Sequence, residues 1–380
     1  MTRSNFKFPK HIKIKSIKLR TLLLPVFLFA VLVILSACGA PAATQAPAAP
    51  EAPEAPAATE APVEPGAGYP VQYGQDSRTE VFQLGDSKLK EMAASVAVFV
   101  QKSQVSVSGN TVTLNGYTLN EMSQMGWLVS GANVPMCTNE LFSSQPAPGF
   151  CTGFLVGEDT LVTAGHCLEK VSCADTDIVF GFQLTADQSL ATLTRDDLFE
   201  CAKVIAKVTP TPENQSLDYA VLKLDRPTGR PGLLYATDDQ LQARDNVAVL
   251  GYPSGLPQKV ASNAFVMSND TSNPFFVTNL DTFGSNSGSP VINTETYQVE
   301  GILVRGTTDY VLSNDGSCVQ VNRCPEGGSV SCAGENATKM ARVVDSISNS
   351  LAGGLQGLNC ISGLLPAILL LALSRFKTIS

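Results

Sequence analysis

Three polar residues stand in local sequences that suit nucleophilic catalysis. They are His166 in Thr-Ala-Gly-His-Cys, Asp218 at the start of Asp-Tyr-Ala-Val-Leu-Lys-Leu, and Ser287 in Gly-Ser-Asn-Ser-Gly-Ser-Pro. A serine hydroxyl is a poor nucleophile at neutral pH, so it needs a base within hydrogen-bond reach. An imidazole serves as that base when a buried carboxylate fixes its tautomer and stabilises the imidazolium. We therefore predict His166 as the general base, Asp218 as the orienting acid and Ser287 as the nucleophile.

The choice of histidine and of acid can be narrowed from the sequence. The chain has two histidines, and His11 lies in an N-terminal segment that we expect to be removed. A lone aspartate before a strand is usually a turn residue, so Asp218 stands out only together with the other two motifs. The competing acids are Asp175, Asp177 and Asp225. Asp225 precedes Arg-Pro and is more typical of the turn at which a strand ends.

The N-terminus has the composition of a bacterial secretion signal. Residues 1–20 are basic without an acid, and residues 21–35 form an apolar run too short for an ordinary spanning helix. The run ends in Leu-Ser-Ala-Cys, which resembles the lipobox, where the cysteine is lipidated and becomes the new N-terminus. The alternatives are an ordinary cleavage site with a chance cysteine, or an uncleaved anchor. We expect a lipoprotein signal peptide at 1–37 and an extracytoplasmic location, with lipidated Cys38 anchoring the protein to the cell membrane or cell surface.

Composition excludes one class of partner and divides the chain. The formal net charge of -8 argues against a nucleic-acid partner. Residues 38–68 are almost wholly Ala, Pro, Glu and Thr, which predicts a disordered or semi-extended tether. A globular domain is expected at 69–345. The tail at 346–380 contains an apolar run, 361–373, which fits either a C-terminal sorting signal or a helix docked on the core.

The chain after Cys151 has the pattern of an all-β domain. Nine short apolar runs are separated by Gly, Pro, Asn or Asp at intervals typical of an antiparallel barrel or sandwich. The runs are 154–156, 160–163, 178–180, 220–224, 247–250, 264–266, 275–277, 290–292 and 299–304. Before them, residues 87–100 predict a short helix that runs into a strand.

The ten cysteines indicate an oxidising location. Without Cys38 and the tail residue Cys360, eight remain, and none has the CxxC spacing of a metal site. They are Cys137, Cys151, Cys167, Cys173, Cys201, Cys318, Cys324 and Cys332. With one histidine expected in the mature protein, a histidine-rich zinc site is excluded as well.

Residues from about 90 to 345 resemble trypsin-like serine proteases of the chymotrypsin fold, in the bacterial secreted branch that includes glutamyl endopeptidases. The order of base, acid and nucleophile along the chain is that of the family. The resemblance implies two antiparallel six-stranded β-barrels, at about 90–230 and 231–345, with the site in the cleft between them. It also implies a disulfide between Cys151 and Cys167, which would staple the loop of the catalytic histidine.

The resemblance further implies an oxyanion hole formed by the backbone N–H groups of Ser285 and Ser287. Three departures from the family pattern matter. Ser285 stands where the family usually has glycine, and it would strain the turn if its φ is positive. Asn286 replaces the aspartate that pairs with a freed N-terminus in trypsin, which argues against zymogen activation by that route. Residues 301–306 lack the histidine with which glutamyl endopeptidases hold a substrate glutamate, so glutamate specificity by that device is excluded.

The substrate pocket and the remaining disulfides are less constrained. Asp281 lies six residues before Ser287, at the place of trypsin's specificity aspartate, where it could attract Lys or Arg. The alternative, which we favour, is that Asp281 pairs with Arg305 or caps the turn and leaves a neutral pocket, because an unpaired buried carboxylate is costly. Gly306 is placed to pair its backbone with an extended substrate strand. Cys173–Cys201 would close the first barrel, and Cys137, Cys318, Cys324 and Cys332 allow three pairings.

The sequence thus predicts a serine endopeptidase that hydrolyses peptide bonds of extracellular proteins through an acyl-enzyme. We expect protein or peptide substrates, no cofactor or metal, no nucleic acid, membrane contact through the lipid anchor, and a monomer. One alternative is a catalytically weak or inactive protease-fold module for binding or adhesion. Another is an esterase that uses the same triad.

Overall fold

The computed structural model of the chain describes residues 72–214 and 216–350. The predicted signal peptide, Cys38, the tether and the C-terminal apolar run lie outside the described residues. Among the helices of the described part, none has the length and apolar character needed to cross a membrane.

The described residues form twenty strands and three short helices. The strands are β1 (Gln72–Tyr73), β2 (Arg78–Glu80), β3 (Val96–Gln101), β4 (Val105–Ser108), β5 (Thr111–Leu114), β6 (Gly149–Leu155), β7 (Thr160–Thr163), β8 (Thr176–Phe180), β9 (Leu193–Thr194), β10 (Leu198–Val208), β11 (Tyr219–Leu224), β12 (Asn246–Gly251), β13 (Lys259–Ser268), β14 (Phe275–Thr278), β15 (Pro290–Asn293), β16 (Val299–Arg305), β17 (Tyr310–Leu312), β18 (Val319–Val321), β19 (Arg323–Cys324) and β20 (Glu335–Lys339). The helices are α1 (Ser87–Ala93), α2 (Leu119–Gln124) and α3 (Cys167–Lys170). Each of the nine predicted apolar runs overlaps a strand.

The first barrel is closed by six antiparallel strands in the order β10-β11-β7-β6-β3-β8. The residues of β3 from Val96 to Val100 are fully buried, as are Ala220 to Leu222 of β11. Because β-branched and aromatic side chains suit a pleated buried surface, these runs form buried strands of the barrel. Residues 87–100 form α1 followed by β3, as predicted.

The second barrel has the strand order β12-β15-β16-β20-β14-β13, and pairing of β12 with β13 closes it. β2 also pairs with β13, so a segment that precedes the first barrel in sequence joins the second. The predicted all-β fold of two six-stranded antiparallel barrels is confirmed.

An insertion between β3 and β6 was not predicted from sequence. It contains β4 and β5, which form a three-stranded sheet with β9, and the helix α2. Thr118 and Glu121 form a capping box that starts α2, with two reciprocal hydrogen bonds between side chain and backbone. Leu119 of this helix packs in one cluster with Tyr310 on β17 and with Phe283, which lies between β14 and β15, so the insertion supports the loop that precedes Ser287.

Four disulfides lie within the described residues. They are Cys137–Cys318, Cys151–Cys167, Cys173–Cys201 and Cys324–Cys332. Cys151–Cys167 is the pair implied by the family resemblance, and Cys173–Cys201 is the pair expected in the first barrel. The structure selects one of the three pairings left open for the other four cysteines.

Candidate active site

His166 lies between a strand and a short helix that fix its backbone. β7 ends at Thr163, and α3 begins at Cys167, which is bonded to Cys151 on β6. A Cβ at Gly165 would collide with the carbonyl oxygen of Val208, so only glycine fits this turn. The turn therefore carries the imidazole on a backbone that is held on both sides.

Asp218 reaches His166 because β11 runs antiparallel to β7. Ala220 pairs with Thr163, which places the residue before β11 beside the turn after β7. The Oδ2 atom of Asp218 lies 2.7 Å from Nδ1 of His166. Its Oδ1 atom accepts hydrogen bonds from the backbone N–H groups of Gly165, at 2.7 Å, and His166, at 3.1 Å. With only 2% of Asp218 exposed, these contacts orient the ring and leave Nε2 as the nitrogen without a carboxylate partner.

The second barrel also holds the segment that contains Asp218. The hydroxyl of Thr338 on β20 donates to the carbonyl oxygen of Asp218 at 2.9 Å. The guanidinium of Arg305 on β16 donates to the carbonyl oxygen of Ser216 at 3.1 Å. The position of the acid is thus set by contacts from both barrels.

The competing aspartates have other partners. Asp175 accepts a hydrogen bond from the hydroxyl of Ser172, and Asp225 accepts one from the backbone N–H of Glu200. Asp177 lies on β8, where burial, more than any other cause, raises its pKa to about 6. Of the four aspartates considered, Asp218 is the one that contacts the imidazole.

Ser287 lies in a turn that is tied to both barrels. Its carbonyl oxygen accepts a hydrogen bond from the backbone N–H of Thr152 on β6, at 2.9 Å. The N–H of Gly288 donates to the carbonyl oxygen of Leu303 on β16, at 2.7 Å. Gly288 has a φ of 91°, and a Cβ there would collide with the carbonyl oxygen of Thr152, so glycine is required.

A cavity of about 380 Å³ brings the predicted base and nucleophile together. Its lining consists of Gln101, Phe150, Cys151, His166, Cys167, Glu169, Val171, Ser285 and Ser287. No hydrogen bond within residues 72–214 and 216–350 joins the Ser287 hydroxyl to His166. In sites of this kind without substrate, the contact between nucleophile and base is often long and tightens in the reactive complex.

A possible metal site beside His166 and a larger depression elsewhere do not change the assignment of His166, Asp218 and Ser287 as candidate catalytic residues. His166, Cys151 and Cys167 lie close enough to suggest a metal site, but the two sulfurs are bonded to each other and are not thiolates. A larger open depression of about 990 Å³ is lined by residues such as Val156, Arg230 and Leu234. It contains none of the three predicted catalytic residues.

The predicted oxyanion hole has a strained backbone on one side. Ser285 has a φ of 66°, in the left-handed region that favours glycine, so the predicted condition for strain is met. Its carbonyl oxygen accepts from the Thr152 hydroxyl at 2.8 Å, and its own hydroxyl donates to the carbonyl oxygen of Gly149 at 3.2 Å. In the described part of the chain, the backbone N–H groups of Ser285 and Ser287 make no hydrogen bond, which leaves both as donors for a ligand.

A second cavity, of about 180 Å³, opens on the other side of Ser287. Its lining consists of Thr282, Phe283, Gly284, Ser287, Leu303, Arg305, Gly306, Thr307, Asp309 and Glu335. Two of the three predicted pocket residues, Arg305 and Gly306, are therefore present. Arg305 directs its guanidinium to Ser216 and stacks over the ring of Phe275, 5.1 Å from the ring centroid.

Asp281 is not paired with Arg305, so that part of the prediction was wrong. Its carboxylate accepts hydrogen bonds from the backbone N–H of Tyr73 and from the N–H and hydroxyl of Ser77, each at 2.7 Å. Burial is the largest cause that raises the pKa of Asp281, and these hydrogen bonds oppose it. The other possibility, that Asp281 caps its own turn, was wrong as well, because its donors lie in a segment 204 to 208 residues away that a local pattern cannot reveal.

Sequence reasoning missed the two carboxyl groups of the second cavity. Burial, more than any other cause, raises the pKa of Asp309 to about 6 and that of Glu335 to about 8. Asp309 accepts a hydrogen bond from the backbone N–H of Gly284 at 2.7 Å. Glu335 begins β20, a polar strand without an apolar run, and only its pairing with β16 brings it to the cavity.

The structure combines two closed antiparallel barrels, a buried aspartate hydrogen-bonded to a histidine, and a serine in a glycine-rich turn. This combination is typical of chymotrypsin-fold peptidases. Residues 151–302 match the family model described as the trypsin-like peptidase domain. This part of the chain is therefore similar to a trypsin-like peptidase domain, in agreement with the resemblance inferred from the motifs. No curated protein matches the chain in sequence.

Solved structures with similar folds are distant. The VesB protease of Vibrio cholerae is 16% identical, with a TM-score of 0.41, and covers 67% of this chain. The match spans only 63% of VesB itself. A Glu endopeptidase is 16% identical over 74% of this chain and 99% of its own, with a TM-score of 0.41. An inactivated protease paralogue of the scabies mite is 12% identical over 73% and 97%, with a TM-score of 0.42. Such distant matches decide neither the branch of the family nor the activity.

Proposed function

We propose that this protein is a serine endopeptidase in which His166, Asp218 and Ser287 form the catalytic triad. The observation that carries the proposal is the buried Asp218 carboxylate, which contacts both the ring and the backbone of His166. A carboxylate so placed holds the imidazole in the tautomer whose Nε2 accepts a proton. The cavity shared by His166 and Ser287 supports the assignment of the nucleophile.

The reaction follows from these groups. Nε2 of His166 takes the proton of the Ser287 hydroxyl as Oγ attacks the scissile carbonyl carbon, and Asp218 stabilises the imidazolium. The N–H groups of Ser285 and Ser287 bind the oxyanion of the tetrahedral intermediate. The imidazolium then protonates the leaving amine, which gives the acyl-enzyme, and water activated by the same ring releases the acid. Gly306 lines the cavity beside Ser287, where its backbone can pair with an extended substrate.

The proposed setting is the outer face of a bacterial membrane. The disulfides indicate a protein outside the cytoplasm. We propose a signal peptide at 1–37, lipidation at Cys38, a tether at 38–68, the peptidase domain at 69–345 and a tail at 346–380. In this arrangement a monomer held by its lipid acts on extracellular proteins or peptides without a cofactor.

Labelling with a fluorophosphonate probe tests the catalytic assignment. The wild-type protein should be labelled and should cleave casein, and Ser287→Ala should lose both properties. Ser103→Ala, which changes an exposed serine in the turn between β3 and β4, is the matched control and should keep both. A folded wild-type protein that is never labelled would contradict the proposal.

One observation favours the alternative of a binding module with weak or no catalysis. The left-handed backbone at Ser285 strains the residue that supplies an oxyanion donor. A labelled protein that turns over p-nitrophenyl acetate but not casein would instead indicate an esterase. Comparing the two turnover rates for one preparation separates the three functions.

A further inference from the structure

Residues 122–139 of the insertion contain no charged side chain, and we call them the uncharged segment. Trp127, the only tryptophan of the chain, lies in this segment with 59% of its surface exposed. The ring of Tyr117, which is 51% exposed, meets it edge to face with 5.4 Å between the ring centroids. Large aromatic side chains that stand together in solvent are typical of an interaction surface.

The uncharged segment is held firmly against the rest of the domain. The disulfide Cys137–Cys318 fixes its end, and the hydroxyl of Ser123 donates to the carbonyl oxygen of Val134 at 2.7 Å. The half-buried members of the segment pack against the cluster that contains Leu119, and they are Met122, Leu128, Val129 and Val134. The exposed aromatic pair therefore stands on a fixed base and is not free to fold onto the core.

The described chain begins beside the uncharged segment. The backbone N–H of Gln72 donates to the carbonyl oxygen of Asn322 at 3.3 Å, and Gln72 pairs with Arg323 of β19. The guanidinium of Arg323 reaches the carboxylate of Glu140, the residue that follows the uncharged segment, at 3.4 Å. The residues that lead from Gln72 back to Cys38 therefore join the domain on the side that carries this segment. A lipid on Cys38 would draw that side toward a membrane.

We propose that the uncharged segment, together with Tyr117, docks on a lipid surface, with the ring of Trp127 at the level of the headgroups. This inference rests on the proposed membrane setting and adds a second contact to the proposed lipid anchor. Tryptophan and tyrosine combine an apolar ring with a polar group, which suits the boundary between headgroups and acyl chains. Because residues 122–139 carry no charge, no ionised side chain of the segment has to leave water.

Apolar burial, and not attraction between charges, is the driving force for this docking. Anionic lipids repel a protein with a formal net charge of -8. Burial of aromatic surface does not depend on that charge, and salt screens only charges. Binding should therefore be at least as strong on phosphatidylcholine vesicles as on phosphatidylglycerol vesicles. On phosphatidylcholine it should change less than about twofold between low and high salt.

The fluorescence of Trp127 tests the proposal directly, because no other tryptophan contributes to the signal. The protein for this test is the proposed mature chain, residues 38–380, with Cys38→Ser, which carries no lipid of its own. On phosphatidylcholine vesicles its emission should shift to shorter wavelength. Lipids brominated near the headgroup end of the acyl chain should quench it more than lipids brominated near the methyl end, because the ring lies at the interface.

Two variants show whether the aromatic ring carries the binding. Trp127→Ala should weaken binding in vesicle sedimentation at least about tenfold, because the largest exposed ring of the surface is lost. Leu234→Ala is the matched control. Leu234 is 71% exposed in the connection between β11 and β12, and its loss should leave binding unchanged. Both variants should keep labelling by the fluorophosphonate probe if the proposed peptidase function is correct, so the two proposals are tested separately.

Three outcomes would overturn the inference. One is an emission that does not shift on vesicles of either lipid, or a Trp127→Ala variant that binds as tightly as the wild type. Another is vesicle binding without quenching of Trp127, which would assign the contact to another part of the chain, such as the apolar run at 361–373. A third is a blue shift without lipid that grows with protein concentration and accompanies a dimer in light scattering, since a second copy would then cover the segment. An unlipidated Cys38 in protein isolated from bacterial cells, by contrast, would contradict only the proposed anchor.

Discussion

The polar groups that the two barrels bring to the site differ in how well their surroundings stabilise them. On the side of the first barrel, Asp218 accepts hydrogen bonds from three N–H groups of Gly165 and His166. On the side of the second barrel, Ser285 has a left-handed backbone and Glu335 has a strongly raised pKa. His166, the proposed base, is therefore held firmly in place, whereas the proposed oxyanion loop contains a strained residue and the cavity beside it contains a carboxyl group that has no salt bridge within the described residues.

The largest effect on kcat is expected from a substitution on the side of the first barrel, where the hydrogen bonds of Asp218 are complete. Asp218→Asn should lower kcat about 10⁴-fold, because the amide no longer holds His166 in the productive tautomer. Asp225→Asn, at the other end of β11, is the control and should change kcat less than about twofold. Steady-state kinetics on one peptide substrate, with unfolding in urea to verify folding, measure both. Similar activities in the two variants would remove the distinction between the barrels.

The raised pKa of Glu335 predicts how stability depends on pH. Because its pKa rises from 4.5 to about 8 on folding, the folded protein binds this proton more tightly than the unfolded chain. The stabilisation is fully present below pH 4.5 and is lost as the pH rises through 8. From pH 4.5 to 8.5, the wild-type protein should lose about 3–5 kcal/mol of unfolding free energy relative to Glu335→Gln. Urea titrations at several pH values test this, and a constant difference between the two proteins would contradict it.

The disulfide beside His166 is expected to matter for both stability and activity. Replacing Cys151 and Cys167 with alanine opens a loop of 16 residues and should lower the unfolding free energy by about 3 kcal/mol. The control is the pair Cys324–Cys332, which closes a loop of 8 residues and lines neither of the two cavities at Ser287. Its loss should cost slightly less stability and much less kcat. Equal losses of kcat would show that activity does not depend on the disulfide that closes the loop of His166.

The smallest expected effect concerns Ser285. Ser285→Gly removes a side chain from a left-handed backbone, which relieves about 1 kcal/mol of strain but loses the hydrogen bond to Gly149. We therefore expect stability within about 1 kcal/mol of wild type and a severalfold faster reaction with a fluorophosphonate probe. Single-turnover labelling rates measure this effect. A slower reaction would show that Ser285 supports the oxyanion loop and does not strain it.

Much of the fold followed from local patterns. The run at 160–163 is β7 itself, and the motif from Asp218 leads into β11. The long strand β10 was missed because most of its residues after Cys201 are only partly buried, so no continuous apolar run marks it. The helix α2 was missed because its capping box lies in an insertion with little apolar periodicity.

The acids of the site show where local reasoning stops. The sequence singled out Asp218 and Asp281, and the structure gives each three hydrogen bonds from another segment. For Asp218 the donors lie in a motif already recognised. For Asp281 they lie at Tyr73 and Ser77, which no motif connected with it. Glu335 was not considered at all, because a polar strand start carries no chemical signature of its own.

The sequence by itself determined the order and type of the strands and the residues that could perform the chemistry, since these depend on neighbours along the chain. The tertiary structure decided which carboxyl group faces the imidazole, which anchors the segment from Tyr73 to Ser77, and which lines the cavity beside Ser287. The physical reason is that the state of a buried carboxyl group depends on the donors and charges within a few ångströms. Here those groups come from residues that are far apart in the chain.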